Sequence, residues 1–528
     1  SKTYDGTDIA TISVGTIDGS GFVNSETVTV GSVSGTFDSA NAGDRTATAV
    51  YTLANGENGG LANNYSLASE TLAPVAIDKA PLTVRANDDA GFYGVTETLG
   101  TAGVSYTGFV HGETDSVVTG TASYSRSDSA NTNAGTYALS VSGLNAANYD
   151  LTYQTGTYTI VPASQLLVRL NPATAVYGST PTYSIQDVSY LNGSSQVVSL
   201  TTGQYDINGA AVSVNDGTTA VSFDVAISST ADDRSAGNYL KVGGYDLGVT
   251  NAISTNSVNF SSTITLVGAL QVSAKAITLS GITAADKTYD GLTATTLNTS
   301  NATGWLSGDQ VAVATATGAF VDPNAGTAKS VAITNLTLSG ADAGNYTLNT
   351  TSTTATINKK ALTIAGSTAA GKTYDGNNLA TITAGNLSGL VNGETLVVNA
   401  SGTFDSANAG SRTATAVYTL ADGTNGGLAS NYTTPANDNN LSATISPKTL
   451  SISGTTALGK TYDGTTTALF TPGSLSGLVN GETLVVSASG TFDSANAGTR
   501  TATAVYTLGD GTGLASNYTT LANQAGLS

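Results

Sequence analysis

A stretch of 37 residues, Leu387 to Gly423, recurs almost letter for letter 88 residues later, from Leu475 to Gly511. A diverged version, Gly21 to Gly56, stands near the start of the chain. Internal repetition of this kind fixes architecture before any single residue is considered, because each copy must be one structural unit. It also argues against a unique active site, since a catalytic constellation seldom comes several times per chain. Within the stretch, Leu396, Val398, Ala400, Gly402 and Phe404 alternate with Thr395, Val397, Asn399, Ser401 and Thr403. Ala414, Ala416, Tyr418 and Leu420 alternate in the same way with Thr413, Thr415, Val417 and Thr419. A period of two is the signature of a strand with one face buried. Between them, Asp405-Ser-Ala-Asn-Ala-Gly410 carries turn chemistry, so the stretch predicts a long hairpin with a threonine-rich outer face.

Two short motifs punctuate the repeats. Lys-Thr-Tyr-Asp-Gly occurs at Lys2–Gly6, Lys287–Gly291, Lys372–Gly376 and Lys460–Gly464, while two further units carry Phe92-Tyr93-Gly94 and Val176-Tyr177-Gly178. An Asn-Ala-Gly turn ends at Gly43, Gly135, Gly326, Gly410 and Gly498, with Ser235-Ala-Gly237 the nearest match in the third unit. Asn-Tyr follows at Tyr65, Tyr149, Tyr346, Tyr432 and Tyr518, and the third unit is expected to substitute Gly244-Tyr245-Asp246-Leu247. These landmarks predict six units: 1–79, 80–163, 164–274, 275–359, 360–447 and 448–528. The third is the longest, with its excess between Tyr183 and Ala231 read as extra strands. Junctions such as Ala443-Thr-Ile445-Ser-Pro447-Lys-Thr-Leu450 are too short and too stiff for a flexible linker. The expected fold is all-β, an elongated rod of six small domains, Ig-like sandwich or β-grasp-like. By the same alignment, unit one lacks its opening strand and unit six its closing strand. A window cut from a longer array is preferred over strands donated by neighbouring molecules.

Composition narrows the function classes. Acidic residues outnumber basic ones 37 to 18, and the cations are scattered, which argues against nucleic acid and anionic lipid as partners. There is no cysteine, hence no disulfide, thiolate metal site or thiol nucleophile. His111 is the only histidine, so neither a Ser-His-Asp triad nor a histidine metal cluster can be assembled. No apolar run approaches the length of a membrane span, and no membrane insertion is expected. No acidic pair stands out for hydrolysis, and an enzyme is not expected.

The Lys-Thr-Tyr-Asp-Gly units with their downstream Asn-Ala-Gly and Asn-Tyr resemble the YDG domain. The Tyr-Gly units resemble its companion, the MBG domain of the YGX type, the third less closely than the second. Both families form tandem arrays in very large secreted bacterial adhesins, many of the filamentous-haemagglutinin, two-partner-secretion type. The resemblance covers essentially the whole chain and implies the stalk of a surface or biofilm-matrix adhesin, outside the cell. It transfers no catalytic residue. Exopolysaccharide or a cell-surface glycan, and neighbouring repeats of the same chain, are the partners it implies.

The remaining candidates are structural. Tyr4, Tyr289, Tyr374 and Tyr462 are expected to anchor, in the core, the turns made by Asp5-Gly6, Asp290-Gly291, Asp375-Gly376 and Asp463-Gly464. Asp38, Asp405 and Asp493 suit an Asx-type turn better than calcium, which wants six to eight oxygens. No cofactor is expected; calcium at domain junctions is the fallback, with Asp78, Asp88 and Asp89 the densest acidic cluster. Val391-Asn-Gly-Glu394 and His111-Gly-Glu-Thr-Asp115 are expected as short helical turns. Trp305 aligns with Leu390 and Leu478 and is expected at a core boundary. Asn345 and Asn431 begin Asn-Tyr-Thr sequons, and both are expected to record a turn of the repeat. Lys2, Lys287, Lys372 and Lys460 are expected to be solvated rather than welded to an Asn or Asp side chain.

Overall fold

The computed structural model describes residues 1–528 except 59, 97, 129–132, 229–233 and 256–257. Among the described residues the secondary structure is strand and short 3-10 turn, with no α-helix. The chain divides into two compact units. One comprises residues 1–286, 293–321 and 328–355; the other 287–292, 322–327 and 356–528.

In the second unit the repeated stretch forms the expected hairpin. Leu396–Phe404 pairs with Gly410–Asp422 in an unbroken antiparallel register from Leu396↔Asp422 to Phe404↔Ala414. Phe404, Ala414, Ala416 and Tyr418 are buried and pack with Tyr374, Leu441 and Ile445. Val397 and Val417 on the other face are exposed. The hairpin sits in a five-stranded sheet ordered Lys372–Thr373, Asp438–Ser446, Gly410–Asp422, Leu396–Phe404, Leu379–Ala380. The copy 88 residues later repeats the arrangement with Leu484–Phe492 and Ala502–Asp510. There Gln524–Leu527 pairs antiparallel with Ala502–Asp510, the place Asp438–Ser446 takes beside Gly410–Asp422. The expectation that the sixth unit has no closing strand is amended accordingly.

In the first unit the hairpin Val28–Phe37 with Ala47–Asn55 lies in a four-stranded sheet between Ile9–Ala10 and Glu70–Thr71. Residues 80–161 build one three-stranded and one four-stranded sheet, in which Ala80–Ala86 pairs parallel with Tyr149–Gln154. The expected excess after Tyr183 is real strand: Val197–Ser199, Tyr205–Asn208 and Ala211–Asn215 extend two sheets, while Ala231 lies outside the described residues. The larger of these is six-stranded, running Ala173–Val176, Ala269–Ser273, Gly243–Thr255, Ala220–Ile227, Ala211–Asn215, Tyr205–Asn208.

Two expectations for the third stretch are corrected by register. Gly243 opens a long strand at φ 154 and pairs with Val272, as Gly135 opens its strand at φ 152 and pairs with Ile160. The turn is therefore Lys241-Val242-Gly243, and Ser235-Ala-Gly237 is not its counterpart. Tyr245 accordingly stands two residues past the turn glycine, as Tyr137 does, and not at the Asn-Tyr place. That place belongs to the start of Ile264–Val267, parallel to Leu166–Leu170, where no tyrosine occurs. Neighbouring glycine motifs misled the alignment because two of them lie six residues apart.

Candidate functional site: the tyrosine–carboxylate latches

Each Lys-Thr-Tyr-Asp-Gly motif folds as a loop closed from within by its lysine. Lys372 Nζ lies 2.7 Å from Asp375 Oδ1 and donates to the carbonyl of Asn377 at 2.8 Å. Lys2 with Asp5, Lys287 with Asp290 and Lys460 with Asp463 repeat the pair at 2.8, 2.7 and 2.8 Å. These lysines are turned inward rather than solvated, and Lys2, Lys372 and Lys460 also lie over the rings of Phe37, Phe404 and Phe492. The aspartates also accept from the backbone two residues on, as Asp5 does from Thr7 N at 2.9 Å. Burial pushes the Asp375 carboxyl up, but the Lys372 ammonium and the Asn377 donors outweigh it and hold it below the usual range. Gly6, Gly291, Gly376 and Gly464 share φ of 77 to 79°, the left-handed region that the turn requires. At Gly376 a side chain would also strike the Asn480 amide and Val479.

What these loops position is the tyrosine. A backbone bond to the closing strand fixes it: Tyr4 N to Asp78 O at 2.7 Å, Tyr289 N to Asn358 O at 2.8 Å, Tyr374 N to Ser446 O at 2.9 Å. The ring then points away from its own repeat. Tyr289 Oη donates to Glu394 Oε1 at 2.5 Å, and Tyr432 Oη donates to the other oxygen, Oε2, at 2.6 Å. The two rings meet edge to face with centroids 5.3 Å apart. Tyr374, Glu482 and Tyr518 reproduce the arrangement at 2.6 and 2.5 Å. Tyr4 donates to Glu113 at 2.7 Å, and Tyr149 closes the same carboxylate from its other oxygen. At the fourth, Tyr177 and Tyr346 donate to one oxygen of Asp309 at 2.6 and 2.5 Å, with Ser235 Oγ on the other at 2.7 Å.

The carboxylate is placed by a turn whose first amide is capped by the second tyrosine: Val391 N donates to Tyr432 Oη at 3.1 Å and Glu394 N to Val391 O at 2.9 Å. Val391-Asn-Gly-Glu394 is thus a single hydrogen-bonded turn, and the 3-10 turn near His111 runs Asp115–Val117. Burial first, then the carboxylate, raises the phenol of every latch tyrosine above its ordinary value, that of Tyr374 up to about 12. At Asp309 burial pulls the other way, yet the donors of Tyr177, Tyr346 and Ser235 hold the carboxyl below its usual value.

A second clasp lies beside each latch. Asn431, fully buried, accepts from Ala325 N at 2.8 Å and donates to Asn324 Oδ1 at 3.0 Å. Asn517 does the same with Ala409 and Asn408, and Asn148 with Ala42 and Asn41. The Asn-Ala-Gly turn therefore presents an amide and a side-chain carbonyl to the asparagine of Asn-Tyr. Gly43, Gly410 and Gly498 start or precede the strand after this turn at φ 122, 130 and 134, and Gly326 opens the strand Gly326–Ser339. In the third stretch Val242 N donates to Asn345 Oδ1 at 3.0 Å, but Lys241 stands where the others have asparagine, and buried Asn345 Nδ2 has no acceptor. Burial of Asn345 and Asn431 also removes both sequons from the surface.

Sequence reasoning placed the tyrosines in their own cores and overlooked Glu113, Asp309, Glu394 and Glu482. The signal was present: Gly-Glu recurs in three units, its Glu 36, 38 and 36 residues before the tyrosine of Asn-Tyr. Tyr462 corrects the expectation outright, being 64% exposed, because among the described residues no carboxylate–tyrosine pair stands against it. Trp305 is half-buried against the core, one residue before Leu306, whose amide Tyr346 Oη caps at 2.8 Å. Among the described residues no acidic group converges as calcium would need. Asp88 is taken up by Arg85 at 3.0 Å and Thr157 N at 2.8 Å, Asp89 by Thr101, and Asp405 by Thr413 N at 3.3 Å.

Comparison with protein families decides what the repeats are. The YDG domain model matches residues 1–72, 273–355, 358–439 and 446–525, more than half of the chain. The chain belongs to the YDG-domain family. The MBG domain (YGX type) matches residues 82–159. No curated protein matches the chain. Among solved structures, the N-terminal eight Ig domains of Down Syndrome Cell Adhesion Molecule isoform 1.30.30 are 9% identical over 89% of this chain and 79% of that one, with TM-score 0.14. A SusE-like surface located polysaccharide binding protein from the Bacteroides thetaiotaomicron heparin utilisation locus is 9% identical over 87% and 75%, with TM-score 0.10. The matched boundaries give the latches their meaning. Tyr4 lies in a YDG domain and its partners Glu113 and Tyr149 in the MBG domain; Tyr289 and Tyr374 each reach into the YDG domain that follows. Tyr4, Tyr289 and Tyr374 are thus connectors between domains. After the MBG domain the joint is of another kind: Tyr93 is 47% exposed, and Ala90, Phe92 and Ala102 pack dry against Leu167, Leu191 and Val267. Arg85 pairs there with Asp246, and Gln271 exchanges two 3.1 Å bonds with the backbone of Tyr106.

Proposed function

We propose that this chain is a spacer segment from a large secreted bacterial adhesin, a stiff array of six small β domains that holds other parts of the molecule away from the cell surface or within a biofilm matrix. Its work is mechanical, and no reaction is assigned to it. The observation that carries this reading is where the recurring residues are spent. Tyr-Asp-Gly, Gly-Glu, Asn-Ala-Gly and Asn-Tyr converge on the joints between domains rather than on a cleft. A ligand site repeated for binding would instead present its recurring residues to solvent. The third stretch is read as a diverged MBG-type domain, since its strands follow those of residues 80–161 in register.

No helix among the described residues is long and apolar enough to cross a membrane. A second reading, in which the repeats themselves bind exopolysaccharide or one another, draws on the outward sheet faces. Val397, Val417, Val485 and Val505 are exposed there among Thr, Ser and Asn, without a charged side chain. Small-angle scattering and a glycan-retention assay on the 528-residue chain separate the two. A spacer gives an extended particle with no retention. A compact particle ends the spacer reading, and retention on polysaccharide moves the function to the sheet faces.

A further inference from the structure

The latches hold a chemistry that a purely mechanical joint does not need. In each, two tyrosines from different domains meet edge to face. Centroids are 5.6 Å apart for Tyr4 and Tyr149, 5.3 Å for Tyr177 and Tyr346, 5.3 Å for Tyr289 and Tyr432, and 5.5 Å for Tyr374 and Tyr518. Both phenols of a pair already donate to one carboxylate, so a base stands at the atom where each proton must leave on oxidation. The chain has no cysteine and no methionine to intercept an oxidant, and a single tryptophan.

We propose that the four latches are sites of oxidative tyrosine–tyrosine crosslinking, which welds one domain to the next in place of a disulfide. A one-electron oxidant, such as a peroxidase using hydrogen peroxide or a photo-oxidised metal complex, takes one electron from each ring. Each phenolic proton passes to the shared carboxylate and on to solvent. The two phenoxyl radicals join through their ortho carbons, and the hydrogens at those carbons move to the phenol oxygens, restoring both rings. The pair loses two electrons and two protons in all; one hydrogen peroxide accepts them and becomes two waters. The eight rings are at most 7% exposed, so the oxidant draws electrons without entering the joint, and the radicals are shielded from a second molecule. The inference rests on the joints being closed as the spacer reading requires, and scattering on the same sample before oxidation reports that independently of the crosslinks.

The test is photo-oxidation of the full chain with ruthenium tris-bipyridine and persulfate at low protein concentration, followed by mass spectrometry. The expected result is monomer that has lost two hydrogens per link, with linked peptides joining each latch pair. Tyr432→Phe removes only its own link and spares the other three. Glu394→Gln, which keeps both rings, slows the Tyr289–Tyr432 link several-fold against the other links in the same molecule. Tyr177 also touches Tyr239 at 5.8 Å; no bond from the Tyr239 hydroxyl to a shared carboxylate accompanies that contact, and Tyr177 should choose Tyr346. Adducts through the exposed Tyr462 or Tyr93 with no latch peptides, equal coupling of Tyr177 to both neighbours, or an unchanged rate in Glu394→Gln would overturn the proposal.

Discussion

Glu394 shows why the latch is a unit and not two hydrogen bonds. It is 7% exposed, and each of its oxygens takes one phenol. A buried carboxylate is costly unless its lone pairs are met, and a buried phenol is costly without an acceptor. Each group therefore compensates the others. Glu394→Ala strands two buried hydroxyls at once and should lower stability by about 3 kcal/mol, at the upper end of the range for paired buried groups. Glu394→Gln keeps an acceptor for one phenol and should cost about half as much. Chemical denaturation of the full chain would show both as a lowered unfolding midpoint, the alanine variant's the lower of the two. Equal stability of the alanine variant would mean the latch is a by-product of packing.

At the scale of the element, the strand-to-turn boundary carries the second clasp, and the third stretch supplies an experiment made by the sequence itself. Lys241-Val242-Gly243 has the backbone of Asn41-Ala42-Gly43, and Val242 N reaches Asn345 just as Ala42 N reaches Asn148. Only the side-chain acceptor differs, leaving buried Asn345 Nδ2 unpaired. Lys241→Asn should restore that bond and stabilise the chain by about 1 kcal/mol. A melting midpoint that fails to rise in this variant would show that Asn345 is satisfied in another way. The same stretch shows where pattern matching lost its footing. Ser235-Ala-Gly237 and Val242-Gly243-Gly244 both look like the turn, and only the pairing of Gly243 with Val272 tells them apart.

At the scale of the whole molecule the described residues form two kinds of joint, and pH should tell them apart. Each latch tyrosine has its phenol raised above the free value near 10 by burial and the adjacent carboxylate. A group whose folded value is raised contributes stability in full below the unfolded value and loses it as pH climbs through the folded one. The latched joints should therefore weaken progressively above about pH 10. The joint after the MBG domain, whose apolar cluster around Phe92, Leu167 and Val267 holds no tyrosine, should persist. Hydrogen exchange across that range should show early opening at Val391 and Val479, whose amides the latch tyrosines cap, and continued protection around Leu167. Simultaneous opening of both kinds would refute the distinction.

The sequence by itself determined the all-β fold, the hairpin with Phe404 and Tyr418 inward, and the succession of repeats. Those follow from a period of two and from turn residues, which are local properties of the chain. It also marked Tyr4, Tyr289 and Tyr374 as special without saying for what. Their partners lie more than a hundred residues downstream in another domain, and no local pattern reports which face of one repeat meets which loop of the last. Only the tertiary structure decided that Glu394 stands between two rings, that Lys372 turns inward to Asp375, and that Tyr93 was passed over. Burial decides these contacts: a carboxylate in water is indifferent to a nearby phenol, and the same pair enclosed between two domains holds them together.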